Sequence, residues 1–161
     1  MVKPAAQKVQ QIIDELGLNS QIVEFSESTR TSAEAAAAIG TSVAQICKSI
    51  LFAAGDKENA IPVMVIASGA NRIDTHKVQT HIGQKLHKAT PEFVREKTGY
   101  AIGGVPPFAH AQPLTIFIDQ DLLAFEVVYA AGGTPNAIFP LNPADLVKVT
   151  GGAVIDCRVD N

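Results

Sequence analysis

Two apolar stretches, KSILFAA at residues 48–54 and IPVMVIA at residues 61–67, decide the fold class of this chain. Polar residues 55–59 separate them, and this pattern predicts two buried strands joined as a hairpin. Around the pair, helix-like and strand-like segments alternate irregularly, and no repeat or linker marks a boundary. The sequence therefore predicts a single α/β domain over residues 1–161, with a mixed, largely antiparallel sheet and several short helices.

Periodicity and capping signals place the remaining elements. Val9, Ile12, Ile13 and Leu16 form one apolar stripe, which predicts a first helix. Thr31 followed by Glu34 predicts a capping box at the start of a second helix, and Ser42 with Gln45 suggests another. The helices are predicted near residues 4–16, 31–39, 73–82, 90–97 and 142–149. Further strands are predicted near residues 21–25, 114–118, 126–130, 137–140 and 153–158.

Composition excludes several classes of protein. Charged residues make up only 18% of the 161 residues, against about 25% in typical soluble domains, so disorder is not expected. Two cysteines do not make a disulfide framework, and they suggest a reducing compartment. The apolar runs fall short of the ~20 residues that a membrane-spanning helix needs. We therefore expect a cytoplasmic protein without a membrane partner.

The net charge of −3 hides an asymmetry along the chain. Residues 72–97 contain six basic and three acidic residues, which gives this segment +3 and leaves −6 for the remainder. A basic face could hold a short stretch of nucleic acid backbone. An ordinary solvated helix surface is the alternative interpretation.

Familiar catalytic motifs are missing from the sequence. It contains no phosphate-binding loop, no dinucleotide-binding turn and no serine-hydrolase elbow. The four histidines show no zinc-binding spacing, and the two cysteines lie 110 positions apart. The sequence therefore predicts neither a cofactor nor a metal site.

Lys48 is a charged residue at the start of an otherwise apolar strand. A fixed cation there could bind a carbonyl, phosphate or ribose oxygen of a substrate. The alternative is a lysine whose aliphatic stem covers apolar surface while its ammonium group reaches water.

Two glycine-rich loops are further candidates. In residues 103–108 (GGVPPF), two glycines leave backbone amides open to a ligand and two prolines stiffen the loop. Residues 132–136 (GGTPN) follow a predicted strand, and loops of this kind often carry function. Each loop could equally be a plain turn between strands.

These features occur in an order that resembles the YbaK/EbsC family, also called the prolyl-tRNA-synthetase-associated editing domain. The resemblance covers about residues 3–156. Its motifs are TSAEAA (31–36), QICKSILF (45–52), GGVPPF (103–108), DQDLL (119–123), AAGG (130–133) and LNPADL (141–146). The family implies a curved mixed sheet and hydrolysis of mischarged tRNA in trans, with Lys48 as the residue most consistently tied to activity.

The resemblance also implies a set of site residues. Lys48 would hold a ribose, phosphate or ester oxygen, while amides at Gly103 and Gly104 would bind the carbonyl or oxyanion. The loop from Gly132 would size the amino acid side chain. The implied substrate-binding residues are Ser49, Val105, Pro106, Phe108, His110, Gly132, Gly133, Thr134 and Asn136. Val105 and Phe108 would form the apolar wall of the substrate pocket.

Three positions depart from the family pattern. Ala109 and then His110 stand where many relatives have a glycine, Ser49 replaces an asparagine of some relatives, and Asn136 replaces a late-loop proline. These are pocket positions, so the resemblance implies the reaction type and leaves the amino acid specificity open.

An aminoacyl ester is already activated, so positioning and charge stabilisation can suffice for its hydrolysis. Neighbouring strand residues face opposite sides, so Cys47 is expected to pack away from a site that Lys48 faces. The implied partners are the acceptor end of an aminoacyl-tRNA and either a synthetase or an elongation factor. A binding module without hydrolysis and a metal-dependent hydrolase are the alternatives.

Overall fold

The computed structural model describes residues 3–160, which form a mixed α/β domain. The helices in this range are α1 (Pro4–Glu15), α2 (Ser32–Ile39), α3 (Thr75–Ile82), α4 (Pro91–Thr98) and α5 (Pro143–Thr150). The strands are β1 (Val23–Glu24), β2 (Cys47–Ala54), β3 (Ile61–Ser68), β4 (Leu86–Lys88), β5 (Thr115–Asp119), β6 (Val128–Ala131), β7 (Ala137–Leu141) and β8 (Ala153–Ile155). Within the described range, no helix is long and apolar enough to cross a bilayer.

The strands form two sheets. A five-stranded sheet has the order β4-β2-β3-β5-β8, and a three-stranded antiparallel sheet has the order β1-β7-β6. The predicted hairpin is confirmed, since β2 and β3 pair antiparallel with Leu51 opposite Met64. The β3–β5 and β5–β8 pairs are parallel. The mixed α/β class is confirmed, although the single predicted sheet is divided, and one bridge between Ile46 and Tyr129 connects its parts.

Local signals predicted most helix starts. At α2 the Thr31 hydroxyl accepts from the Glu34 amide (3.1 Å) and the Glu34 carboxylate accepts from the Thr31 amide (3.2 Å), which confirms the capping box. The second predicted capping box is wrong, because the Ser42 hydroxyl donates to the Gln45 side chain and caps no backbone amide. A 3-10 turn follows there. Strand β4 and the 3-10 turn Gln120–Ala124 were not predicted, since both are too short to show a periodic pattern.

The five-stranded sheet has an apolar core on each face. Cβ atoms alternate along a strand, so Cys47 and Leu51 share one face with Met64 and Ile66. The residues on this face belong to the main core, which also contains Phe139. The opposite face forms a smaller core whose members include Val63, Val65, Val78 and Phe117. Each buried side chain of this size contributes about 1.5–3 kcal/mol, so both faces fix the register of β2.

Candidate active site

A pocket of about 430 Å³ lies along the open edge of β2. Strand β4 pairs with β2 only at Phe52, Ala53 and Ala54, so the first part of β2 has no neighbouring strand on that side of its own sheet. The pocket is lined by consecutive residues of β2 from both of its faces, by the loop before α2, by the Gly103 loop and by β6. Its volume suits a small-molecule group such as a terminal nucleotide or an amino acid.

Backbone groups of β2 face this pocket. The Gly69 amide donates to the Ile46 carbonyl (2.8 Å), so Ile46 directs its backbone groups toward the β3 side. Along an antiparallel strand, every second residue directs its backbone amide and carbonyl groups to the same neighbouring strand. Lys48 and Ile50 therefore continue the bonding to β3, whereas the amide and carbonyl groups of Ser49 and Leu51 point toward the open edge. These groups can hydrogen-bond an extended or planar polar ligand.

Lys48 lines the pocket, and its ammonium group is held from outside the strand. Nζ donates to the backbone carbonyl of Asn71 at 2.6 Å. Burial lowers the pKa of Lys48, while the nearby Asp119 carboxylate acts in the opposite direction. A partly desolvated cation of this kind interacts more strongly with a ligand oxygen than an exposed lysine does.

The charged residues that line the pocket are all basic. Arg30 and Lys88 join Lys48 in the lining, and none of the described aspartates or glutamates lines it. Arg30 lies over Gly103, where a Cβ atom would overlap Cγ of the arginine. Gly103 also has a φ of +92°, so both sterics and backbone conformation favour glycine at this position.

Ser49 brings an unsatisfied hydroxyl to the pocket. Its Oγ is buried and has no hydrogen-bond partner among the described residues. Leaving a buried polar group unpaired costs about 1–3 kcal/mol. A ligand that hydrogen-bonds to this hydroxyl would recover part of that cost.

Gly104 supports the pocket and does not offer it a free amide. Its N–H donates to the Ala101 carbonyl at 3.0 Å, which closes a turn. A Cβ atom at Gly104 would lie 2.7 Å from the carbonyl carbon of Thr134. Gly104 thus lets the early and late loops pack backbone to backbone. Val105, the next residue, is buried and lines the pocket.

The rest of the early loop points into the core. Phe108 is buried and packs on Phe139, with ring centroids 5.7 Å apart. The Nε2 atom of His110 lies 2.7 Å from the Pro106 carbonyl, and burial lowers the pKa of the imidazole. Pro106, Phe108 and His110 do not line the pocket, because the two prolines turn the chain inward after Val105.

The glycines of the late loop also lie outside the pocket lining. The Gly132 amide donates to the Ala137 carbonyl at 2.8 Å. Gly133 has a φ of +102°, and a Cβ atom there would lie 2.8 Å from the carbonyl oxygen of Ala5. Both glycines therefore serve a tight turn that packs against α1.

The polar residues of the late loop bond within the scaffold. The Thr134 hydroxyl donates to the Asn136 side-chain oxygen (3.1 Å), and the Asn136 amide donates to the Phe25 carbonyl (2.7 Å). Neither residue lines the pocket. The late loop is therefore a second layer behind the Gly103 loop, and it contacts that loop through Thr134 and Gly104.

Several pocket residues escaped sequence reasoning. In residues 29–32 only Thr31 was predicted to cap a helix, and Thr29 and Arg30 were given no role, yet all four residues line the pocket together with Ile102 and Tyr129. The one signal in the sequence that could have located this loop was the helix cap Thr31. If the start of α2 lies near Lys48, the loop before α2 lies at the edge of β2. The strand pairing that creates this proximity is a long-range contact that periodicity does not show.

The basic segment 72–97 does not form one surface. Lys88 lines the pocket. Lys77 instead binds the carboxylates of Asp156 (3.0 Å) and Asp160 (2.8 Å) near the end of the described chain. The charge excess of this segment is therefore divided between the pocket and an ion-pair cluster.

Cys47 is not poised as a nucleophile. It lines the pocket, contrary to the prediction that it would pack away from the site, but it is buried in the main core, and burial raises the pKa of its thiol far above the usual range. A protonated thiol is a weak nucleophile. Among residues 3–160, no three His, Cys, Asp or Glu side chains come close enough to hold a metal ion together.

Comparison with known proteins identifies the class. The family model of the aminoacyl-tRNA editing domain matches residues 26–149, a range that contains Arg30, Lys48, Lys88 and the Gly103 loop. The chain therefore belongs to the aminoacyl-tRNA editing domain family.

Individual relatives refine this placement. A crystal structure of a proposed trans-editing enzyme for prolyl-tRNA synthetase superposes with a TM-score of 0.91 at 43% identity, covering 99% of this chain and 100% of the other. The uncharacterised protein YwhH of Bacillus subtilis is 35% identical over 79% of both chains. A proline–tRNA ligase of Limosilactobacillus fermentum is 32% identical over 63% of this chain, a match that covers 19% of the ligase.

Proposed function

We propose that this chain is a trans-editing deacylase that hydrolyses the ester of a mischarged tRNA, of the tRNA(Pro) type or a related one. The observation that carries this proposal is a single pocket that combines basic residues with an open strand edge. Membership of the editing-domain family supports the substrate class. The resemblance to a proposed trans-editing enzyme supports action on a separate synthetase's product, in the cytoplasm where aminoacyl-tRNA is made.

The chain's residues have distinct roles in this proposal. Arg30 and Lys88 attract the phosphates of the acceptor end, and Lys48 binds a ribose, phosphate or ester oxygen. The amide of Gly103 binds the ester carbonyl as negative charge develops on it. The Ser49 hydroxyl and the open edge of β2 orient the aminoacyl group.

Water is the nucleophile in the proposed reaction. It attacks the ester carbon, the bond from that carbon to the ribose oxygen breaks, and the ribose oxygen takes up a proton from the water. The neighbouring ribose hydroxyl of the substrate can orient this water, so the protein contributes mainly position and charge stabilisation.

The alternative is a module that binds an aminoacyl-tRNA end, alone or with a synthetase or elongation factor, without hydrolysing it. One observation favours it: no described Asp, Glu or His lines the pocket, so no side chain there is an obvious general base. Turnover separates the two functions, because a binding module protects the ester and releases no amino acid.

The test is a deacylation panel with protein far below the tRNA concentration. Alanine, serine, threonine and cysteine would be charged onto tRNA(Pro) and onto their own tRNAs. We expect multiple turnovers on at least one mischarged tRNA and a loss of at least ~10²-fold in Lys48→Ala, as when a charge-stabilising donor is removed.

Lys57→Ala is the matched control, since Lys57 is exposed and lies outside the pocket lining. It should deacylate like the wild type. Normal turnover in a folded Lys48→Ala protein would remove Lys48 from the mechanism, and protection of every ester would favour the binding module.

A further inference from the structure

Asn71 contacts Lys48 from the loop that follows β3. Its backbone carbonyl accepts the 2.6 Å hydrogen bond from the Lys48 ammonium group. Its backbone amide donates to the Ser68 carbonyl at 2.9 Å, so residues 68–71 form a tight turn. The position of the lysine head group therefore depends on how firmly this turn is held.

Asp119 fixes both ends of the turn. Its Oδ2 atom accepts from the Ser68 amide (3.0 Å) and from the Asn71 side-chain amide (2.8 Å). Its Oδ1 atom accepts from the Asp121 amide (2.9 Å). Asp119 is fully buried, and a buried carboxylate with three N–H donors is held in one orientation.

Asp121 completes the support. Its Oδ2 atom accepts from the same Asn71 side-chain nitrogen at 2.9 Å and from Arg158 at 3.2 Å. The two hydrogens of the Asn71 amide group can thus serve two different carboxylates. We call the Asn71 side chain with Asp119 and Asp121 the asparagine clamp.

We infer that Asn71 is a positioning residue for Lys48, and that the asparagine clamp holds the ammonium group where the substrate oxygen binds. This inference rests on the proposed function, because the lysine needs a defined position only if it acts on a ligand. Lysine has four rotatable side-chain bonds, so fixing its head group in advance removes an entropic cost from binding and reaction.

The clamp explains why the ammonium group is bonded to a carbonyl and not to a carboxylate. Asp119 is near enough to favour the charged form of Lys48, yet its oxygens are occupied by N–H donors. The lysine thus keeps donor hydrogens for a ligand, and none of the carboxylates in residues 3–160 forms an ion pair with it.

Asn71→Ala is the test variant. It removes both clamp bonds, but Ser68 still satisfies Asp119 and Arg158 still satisfies Asp121, so the folded state is expected to persist. Asn59→Ala, in an exposed turn, is the matched control. If Asn71→Ala does not fold, Asp121→Ala is used as the test variant in its place. It removes one of the two hydrogen bonds of the Asn71 side chain, and Asp121 is less buried than Asp119.

Two readouts separate positioning from a general structural effect. The first is kcat and KM for the mischarged aminoacyl-tRNA that the wild type hydrolyses, where we expect kcat to fall about 10- to 100-fold with little change in KM. The second is labelling of Lys48 by acetic anhydride as a function of pH, followed by mass spectrometry. Release of the lysine into water should move its labelling midpoint toward the ordinary lysine value of 10.5.

The outcomes are distinguishable from failure of the proposed function. Unchanged kcat and an unchanged labelling profile in folded Asn71→Ala would overturn the positioning role, even if Lys48→Ala is inactive. If the wild type itself releases no amino acid, the deacylase proposal fails. In that case the acetic anhydride labelling of Lys48 alone tests whether the asparagine clamp holds the lysine. The same labelling midpoint in Asn71→Ala and in the wild type would overturn the positioning role.

Discussion

Replacing Gly104 with alanine tests whether the two glycine-rich loops pack as the structure shows. An added Cβ would lie 2.7 Å from the carbonyl carbon, 2.8 Å from Cα and 3.0 Å from the nitrogen of Thr134. Ordinary carbon contacts are about 3.5–4.0 Å, so the loops must separate by roughly 0.8 Å or more.

Neither loop can yield easily. The Gly104 amide is bonded to Ala101, and the Thr134 carbonyl accepts from the Ala137 amide at 3.2 Å. Overpacking of this kind costs about 1–3 kcal/mol. For a domain of this size, each kcal/mol lowers the thermal midpoint by about 2–4 °C, so we expect a drop of roughly 2–12 °C.

Deacylation should fall as well, because separation of the loops moves Gly103 and Val105 at the pocket wall. Gly83→Ala is the control: it creates no contact within 4 Å, but its φ of +69° costs about 1–2 kcal/mol in a residue with a side chain. Calorimetry and single-turnover deacylation should show similar destabilisation in both variants and slower chemistry in Gly104→Ala alone. A Gly104→Ala protein with wild-type melting and wild-type rates would refute the packing argument.

Three further predictions concern single side chains. Arg30→Ala and Lys88→Ala should each reduce the slope of log(kcat/KM) against log[salt] by about 0.7, the value for one phosphate contact on a single strand, and an unchanged slope would remove that residue from tRNA binding. Cys47→Ala should keep near-normal turnover, whereas a loss of several orders of magnitude in a folded variant would assign the thiol a chemical role. Burial lowers the pKa of His110, so the unfolded chain binds its proton more readily and stability should fall as the pH drops below 6.5. His110→Gln should weaken that loss in urea titrations at pH 7 and pH 5, and an identical pH dependence would count against it.

The sequence predicted those parts of the fold that depend on local signals. The capping pair of Thr31 and Glu34 and the apolar runs of β2 and β3 act within a few residues, so pattern reasoning located them. The division into two sheets depends on which distant strands pair, as in the single bridge between Ile46 and Tyr129. Such long-range pairing leaves no periodic trace in one sequence.

The candidate site was predicted unevenly for the same reason. The pocket is lined by four of the predicted site residues, Lys48, Ser49, Gly103 and Val105. Sequence reasoning could single them out because their residue types and their places at a strand start or in a loop are visible locally. The late loop has the same composition as a ligand-binding loop, but Gly133 packs against α1, Gly132 packs against Ile22 and Ala137, and its polar groups bond to the scaffold. Composition alone does not distinguish a loop that approaches a ligand from one that approaches another backbone.

The open edge of β2 explains how one pocket uses residues from both faces of a strand. Lys48 and Ser49 are adjacent, so their side chains leave opposite faces of the sheet. A site on one face could use only one of them. A site beside the edge can use the Ser49 hydroxyl and the backbone of β2 from one side and Lys48 from the other, provided that the lysine head group is held in position. The asparagine clamp meets that requirement, which is why Asn71, a residue without a catalytic group of its own in the pocket, is the next position to test.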